Sequence, residues 1–192
     1  MNIDASVLTA LGSWALVLCA LYAVWRQTKV TRDTTSVQLF LNVSNQYQLP
    51  EMRRLRGKFA KSLLSSKNKE DMDESVLEFF ETLAHLTRRG MLERQMVWNT
   101  FSIESRIYWF AAEPYVRTLR GKYNDPTLYE ELEWLNRTMV KMETARRHKT
   151  EAEVQVTPDQ RDDFLRSEAN MPTANEEESQ PAPAHGRANP RR

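Results

Sequence analysis

The chain has 192 residues, 41% of them hydrophobic, and its 27 basic and 26 acidic side chains leave a formal net charge of +1. This length fits one domain with appendages. A net charge so close to zero gives no general argument for a nucleic-acid partner. The single cysteine excludes a disulfide framework and a multi-cysteine metal site, and the five scattered glycines cannot build a glycine-rich nucleotide loop.

The N-terminal segment from Ala5 to Trp25 spans 21 residues without a charged side chain. As a helix it would extend about 31 Å, close to the hydrocarbon thickness of a bilayer. It lacks the basic start and the cleavage site of a signal peptide, and the bulky Leu16–Leu18 stretch argues against lipoprotein processing at Cys19. Residues 1–25 are therefore predicted to form an extracytoplasmic end and one transmembrane helix.

Basic side chains are concentrated after this segment: ten lie between Arg26 and Lys69, against two acidic ones. The positive-inside rule then predicts an outside N-terminus and a cytoplasmic C-terminal domain at the cell (inner) membrane. Each basic group near an anionic leaflet contributes up to about 1 kcal/mol. Two interpretations of these residues stay open: they contact the membrane surface, or they form a solvated helix face that serves topology alone. The candidates are Arg26, Lys29, Arg32, Arg53, Arg54, Arg56, Lys58 and Lys61.

Small side chains recur along one face of the predicted transmembrane helix, interrupted by Leu16. Small residues let helix backbones approach closely in lipid, where the hydrophobic effect does not drive association. The face predicts packing against a second copy of the chain or another protein, through Ala5, Thr9, Gly12, Cys19 and Ala23.

No glycine or proline interrupts residues 13 to 49, so the helix is expected to continue as a basic juxtamembrane stalk over residues 26–49. A cytoplasmic helical domain is predicted over residues 50–148. Pro50 suits the first turn of its first helix. Asp71 and Glu74 have the spacing of a capping box that opens the next helix, and Gly90 suits the left-handed residue that closes it.

Three further helices are predicted: a short one over residues 93–101, a longer one that Pro114 kinks or ends, and a last one capped by Asp125. The last helix has an apolar stripe with the 3.5-residue period of a helix packed along another. That stripe, a second candidate surface for self-association, comprises Leu128, Leu132, Leu135, Met139 and Met142. Nothing alternates with a strand period, so the fold class is all-α, a small helical bundle.

The C-terminal region, residues 149–192, is predicted to be a disordered tail. It holds five of the eight prolines and one aromatic residue, too little apolar surface to offset chain entropy. A brief helix over Pro158–Ala169 is left open.

Glu81 and His85 lie one helical turn apart, with Glu78 one turn earlier, and could begin a metal site or an acid–base pair. Di-iron bundles instead repeat Glu-x-x-His on two helices, so a structural hydrogen bond is favoured here. The sequence thus predicts no catalytic residue, no cofactor and no metal ligand. Three arginines of the domain are expected to pair with nearby glutamates: Arg106, Arg117 and Arg120.

The stretch FFETLAHLTRRGMLERQMVWNTFSIESRIYWFAAEPYVRTLR, followed by DPTLYEELEWL, resembles the bacterial membrane-anchored family called domain of unknown function 4760. The matching features are Phe80, Glu81, the Arg89-Gly90 turn, Phe101, Trp109, Pro114 and Tyr129 to Leu132. The resemblance covers roughly residues 5 to 142 and implies a membrane helix, a basic stretch and a small helical domain. It implies no catalytic residue.

These observations favour a single-pass, membrane-anchored helical interaction or accessory protein without catalytic activity. Its expected partners are the lipid bilayer and another protein or itself, and no nucleic acid. Two alternatives stay open: an enzyme with a Glu/His-based cleft between helices, and a sensor of anionic lipid surfaces that uses the basic juxtamembrane segment.

Overall fold

The computed structural model describes residues 5–65 and 72–171, with the side chains of 5–13, 15, 30, 32 and 33 left out. This part of the chain is all-α, as predicted, and contains no strand. Its helices are α1 (Ala5–Gln48), α2 (Pro50–Leu64), α3 (Ser75–Arg88), α4 (Arg94–Tyr123), α5 (Glu130–Arg147), α6 (Glu151–Val154) and α7 (Pro158–Ala169). Helix α5 packs on α3 and α4, and α7 packs on α2 and α4.

Helix α1 is one uninterrupted helix of 44 residues that combines the predicted anchor and stalk. It ends at Gln48. The next residue, Leu49, has the extended conformation (φ −57°, ψ 144°) that is favoured before a proline, and Pro50 opens α2 as predicted. Only the end of α1 enters the domain, where Tyr47 is buried and Phe40 is half-buried. The hydrophobic core therefore sits at one end of a long rod.

Aromatic rings form the centre of this core. Tyr47 lies 5.2 Å from Phe79 and 5.3 Å from Phe101, between ring centroids, and Phe80 lies 5.5 Å from Tyr108. Most of these pairs are edge-on or tilted, the arrangements that the ring quadrupole favours. The rings come from α1, α3 and α4, so the packing fixes the end of α1 in the domain.

The two ends of α3 agree only partly with the prediction. Gly90 has φ 69°, the left-handed conformation expected after the helix. The capping box is wrong: Asp71 lies outside the described residues, and the Oδ1 atom of Asp73 accepts the Ser75 backbone N–H at 3.1 Å. Glu74 instead accepts hydrogen bonds from two buried tyrosine hydroxyls, Tyr115 at 2.7 Å and Tyr129.

Helix α4 runs for 30 residues through Pro114, so the predicted division of residues 93–121 into separate helices is wrong. Proline removes one backbone hydrogen bond. The helix persists because Ala112, Tyr115 and Val116, on either side of the proline, are buried in the core. Packing thus outweighs the local helix-breaking tendency.

Helix α5 begins at Glu130, later than the predicted start at Asp125. The carboxylate of Asp125 accepts the Thr127 N–H at 2.8 Å, which closes a turn, and Tyr129 has φ 56° before the helix begins. The apolar stripe of α5 is part of the core, since Leu132 and Met139 are fully buried. Its interpretation as a surface for self-association is therefore wrong.

The interpretation of residues 149–192 as a disordered tail is wrong for residues 150–171, and the remainder lies outside the described residues. Helix α7, the helix left open by the sequence, is capped by Thr157, whose hydroxyl oxygen accepts the Gln160 N–H at 3.2 Å. Leu165 is buried, and the Phe164 ring packs edge-on against Tyr108 at 5.3 Å. The packed domain thus continues well past residue 148.

Candidate interaction surface

The part of α1 outside the domain carries a run of exposed apolar side chains, residues 14–25, called here the apolar segment. Its large members are 49 to 73% exposed: Trp14, Leu16, Val17, Leu18, Leu21, Tyr22, Val24 and Trp25. Most of them share one side of the helix, and the other sides carry small apolar residues such as Cys19, Ala20 and Ala23, so the segment has no polar face. A helix that is apolar all round is stable only where its surroundings are apolar.

Within the described part of the chain, no helix combines the length and the apolar character needed to cross a membrane. The transmembrane helix predicted over residues 5–25 is therefore without support from the structure. The predicted packing residues divide into two groups. The side chains of Ala5, Thr9 and Gly12 lie outside the description, and those of Cys19 and Ala23 are exposed.

Two of the predicted surface-contact residues directly follow the apolar segment. Arg26 and Lys29 are exposed, and the Lys29 ammonium lies 5.9 Å from the centroid of the Trp25 ring. The side chain of Arg32 is outside the description. An aromatic ring beside two exposed cations is the residue combination expected where a helix leaves an apolar phase.

The basic residues of α2 are not equivalent to one another. Lys58 and Lys61 are exposed, Arg53 is half-buried, and Arg54 pairs with Glu51 on its own helix. Arg56 is only 4% exposed. Its predicted contact with a membrane surface is wrong, because its guanidinium is inside the domain.

Arg56 belongs to a buried polar cluster that joins four helices. Its Nε atom lies 2.9 Å from Glu168 Oε2 in an ion pair whose angle does not satisfy hydrogen-bond geometry. The Tyr108 hydroxyl donates to the same oxygen at 3.0 Å, and the guanidinium lies 4.1 Å from the Tyr47 ring centroid. Burial raises the pKa of the Tyr47 and Tyr108 hydroxyls, so both stay protonated at ordinary pH.

A groove of about 560 Å³ lies between α1 and the turn that follows α3. Three threonines of α1 line it: Thr28, Thr31 and Thr35. Each of their hydroxyls donates to the carbonyl one turn earlier at 2.9 Å. Those hydroxyls therefore have no donor left for a ligand, although their oxygens can still accept a hydrogen bond.

Glu81 has the structural hydrogen bonds that the sequence favoured. Its carboxylate accepts the backbone N–H groups of Glu131 at 3.2 Å and Leu132 at 2.7 Å, and so caps the start of α5. Burial outweighs these bonds and raises the pKa of the Glu81 carboxyl. His85 is 47% exposed at the side chain, with Nδ1 3.7 Å from Glu131.

The three residues of the hypothetical acid–base site are not brought together in one cavity. Glu78 lines a cavity of about 350 Å³ between α1, α2 and α3, and neither Glu81 nor His85 lines it. Among the described residues, no group of three or more His, Cys, Asp or Glu side chains is placed to hold a metal ion.

Of the three arginines expected to form ion pairs, two do so. Arg117 pairs with Glu113 at 2.7 Å, and Arg120 pairs with Glu133 at 2.9 Å. Arg106 differs: it is 7% exposed, and its Nε atom has no hydrogen-bond partner among the described residues. The sequence predicted an ion pair because glutamates lie close to Arg106 along the chain. In the described part of the chain, the fold does not place its guanidinium in an ion pair with them.

The sequence profile of the family described as domain of unknown function (DUF4760) matches residues 6–139. Comparison with curated proteins and with solved structures gave no match. The matched region includes the apolar segment and most of the helical domain, and ends before α6 and α7.

Proposed function

The chain belongs to the family of domain of unknown function (DUF4760), and we propose that it is a non-enzymatic helical interaction module held at a membrane by its N-terminal helix. The bundle would face the cytoplasm, and the apolar end of α1 would lie in the bilayer.

The observation that carries this proposal is the exposure of the apolar segment. Burying one large apolar side chain contributes roughly 1.5–3 kcal/mol, and this segment leaves several uncovered on a helix that has no polar face. Residues 5–13, which precede it, add no charged side chain. A lipid environment would cover the whole circumference, which a partner protein docked on one side would not.

The geometry of α1 limits which basic residues could reach a lipid surface. With α1 perpendicular to the bilayer and Trp25 at its surface, the 23 residues to Gln48 extend about 35 Å into water. Lys58 and Lys61, on α2, would then stay roughly 18 Å or more from the surface even if α2 turned straight back. That distance exceeds the Debye length of about 8 Å at physiological ionic strength. The proposal assigns lipid contact to Arg26 and Lys29.

Flotation with vesicles tests this assignment. The double variant Arg26→Gln/Lys29→Gln should lose the dependence of flotation on anionic lipid, and Lys58→Gln/Lys61→Gln, which removes the same charge, should retain it. Equal behaviour of the two variants would contradict the assignment. A full chain that remains in the soluble fraction with both neutral and anionic vesicles would contradict the anchor itself.

The second part of the proposal is that the membrane helix packs against another helix, in a second copy or another protein. Gly12→Leu fills the predicted close-approach position without adding charge. We expect it to reduce crosslinking through the native Cys19 thiol while leaving flotation intact, whereas Leu11→Ile should change neither. Unchanged crosslinking in the Gly12 variant would remove this face from the proposal.

The enzyme alternative receives less support from the geometry. The acid it would use, Glu81, has both carboxylate oxygens bonded to the start of α5, and Glu78 lines a cavity that His85 does not line. A pull-down from mild detergent, analysed by mass spectrometry and compared with the Gly12 variant, would test for a protein partner. Partners recovered equally by both variants would bind through the cytoplasmic bundle.

A further inference from the structure

Arg106 is a buried cation whose charge the surrounding protein balances poorly. It lies in the middle of α4, 7% exposed, and its Nε atom is buried without a hydrogen-bond partner among the described residues. Glu143 is the acidic group that acts on it, but that carboxylate already pairs with Arg147 at 2.5 Å. A buried charge with a shared counter-ion is costly to folding.

The same arginine lines two adjoining cavities. One, of about 410 Å³, lies between α4, α5 and the α6–α7 connection, and the other, of about 270 Å³, lies on the far side of Gln155 and Val156. The larger cavity is within the size range of small-molecule sites. Its apolar wall consists of Ile103, Ile107, Val154 and Val156.

The charged side chains around the larger cavity determine which anions it can bind. Two cations, Arg106 and Arg147, line it together with three acids, Glu143, Glu153 and Asp163. The lining therefore has a net charge of −1, which disfavours a dianion such as phosphate more strongly than a monoanion. A single negative charge is stabilised only at the Arg106 guanidinium, whose Nε atom has no hydrogen-bond partner among the described residues and whose planar donors match a carboxylate. The aliphatic wall would then contact the remainder of the ligand.

We propose that the cavity between α4, α5 and the α6–α7 connection binds a small aliphatic carboxylate, with Arg106 as the residue that holds the carboxyl group. Such a ligand would bury its hydrocarbon part against the four aliphatic side chains. The cavity is closed on one side by residues 153–163, beyond the part of the chain that the family profile matches.

Calorimetric titration of the full chain in nanodiscs tests the proposal with 4-methylpentanoate as the probe. Its amide, 4-methylpentanamide, has nearly the same shape without the charge, and inorganic phosphate has charge without an aliphatic body. We expect saturable binding of the carboxylate only. Equal binding of the amide, preferential binding of phosphate, or no saturable heat with the carboxylate would each overturn it.

Variants separate a binding role from a structural one. Arg106→Met should weaken carboxylate binding roughly tenfold or more, the loss expected for a charge-assisted hydrogen bond. It should also raise the melting temperature of the ligand-free protein, because an apolar side chain removes the buried charge. Arg137→Met, at an arginine 66% exposed on α5, should leave binding unchanged. Unchanged binding in the Arg106 variant would refute the assignment.

A second variant decides the matter if Arg106→Met does not fold. Ile103 is 60% exposed at the rim of the cavity, so Ile103→Trp can occupy the cavity without disturbing the core. Loss of carboxylate binding in this folded variant is the expected result. Binding equal to that of the unsubstituted chain would place the ligand elsewhere and overturn the proposal.

Discussion

The Nε atom of Arg56 on α2 lies 2.9 Å from the Glu168 carboxylate on α7, and both side chains are less than 10% exposed. This ion pair holds α7, the last helix of the domain, against α2. The Tyr108 hydroxyl donates to the same carboxylate, so the pair is part of a cluster that reaches the aromatic core.

Replacing Glu168 by Gln should destabilise the domain by roughly 3–5 kcal/mol, because Arg56 would remain buried without a counter-ion. The double variant Arg56→Met/Glu168→Leu should recover most of that loss, since no charge is then left in the interior. Glu51→Gln, which breaks an exposed ion pair on the same helix, serves as the control and should have no measurable effect. Urea unfolding followed by circular dichroism compares the three. A small effect of Glu168→Gln would contradict a fastening role.

Two glycines on different helices should respond to alanine in opposite ways. A Cβ atom at Gly121 in α4 would meet nothing within 4 Å, whereas one at Gly57 in α2 would lie 3.3 Å from the Glu168 carbonyl oxygen. Alanine is favoured over glycine within a helix by about 1 kcal/mol. Gly121→Ala should therefore stabilise the protein by roughly 0.5–1 kcal/mol.

Gly57→Ala should destabilise the protein despite the same gain in helix propensity, because the ion pair with Arg56 restrains the backbone that would have to move. Thermal unfolding of the two alanine variants measures the contrast. If Gly57→Ala raised the melting temperature as much as Gly121→Ala, then α7 would not be held closely against α2.

The pH dependence of stability should reveal the buried carboxyl of Glu81. Burial raises its pKa in the folded protein, so the folded state binds this proton more tightly than the unfolded chain does. The resulting stabilisation is complete below the ordinary carboxyl pKa of about 4.3 and is lost as the pH rises through the raised value. The stability of the unsubstituted chain relative to Glu81→Gln should therefore be greater at acidic than at neutral pH.

Glu153 provides a control of opposite sign. Hydrogen bonds from the Thr150 backbone and side chain lower the pKa of its carboxyl, so its contribution is present at neutral pH and is lost as the pH falls through the lowered value. Glu153→Gln should therefore approach the stability of the unsubstituted chain in acid. Parallel pH profiles for Glu81→Gln and Glu153→Gln would contradict both assignments.

Local signals in the sequence were sufficient for the all-α fold class and for several helix ends. Pro50 and Gly90 were correctly predicted to open and close helices, because proline and glycine act through their own backbone geometry. Of the two outcomes predicted at Pro114, a kink or the start of a new turn, the second is wrong, because the burial of its neighbours keeps α4 continuous.

The errors about the C-terminal region and Arg56 have one physical origin. The composition of the region past residue 148 indicated too little apolar surface for that region to fold by itself. The region folds through long-range contacts that no local pattern reveals: Leu165 and Phe164 pack on the core, and Glu168 is buried against Arg56. The last of these contacts also removes Arg56 from the exposed basic set, so both errors arise from the docking of α7 on α2.

Labelling of the native Cys19 thiol tests the proposed anchor most directly. It is the single cysteine of the chain, it lies within the apolar segment, and it is exposed in the isolated protein. The matched control is Cys19→Ser/Val37→Cys, because Val37 is 44% exposed farther along the same helix. In inside-out membrane vesicles, the account predicts that a water-soluble maleimide labels the residue-37 thiol at once and labels Cys19 only after detergent is added. Equally rapid labelling of both thiols without detergent would contradict it.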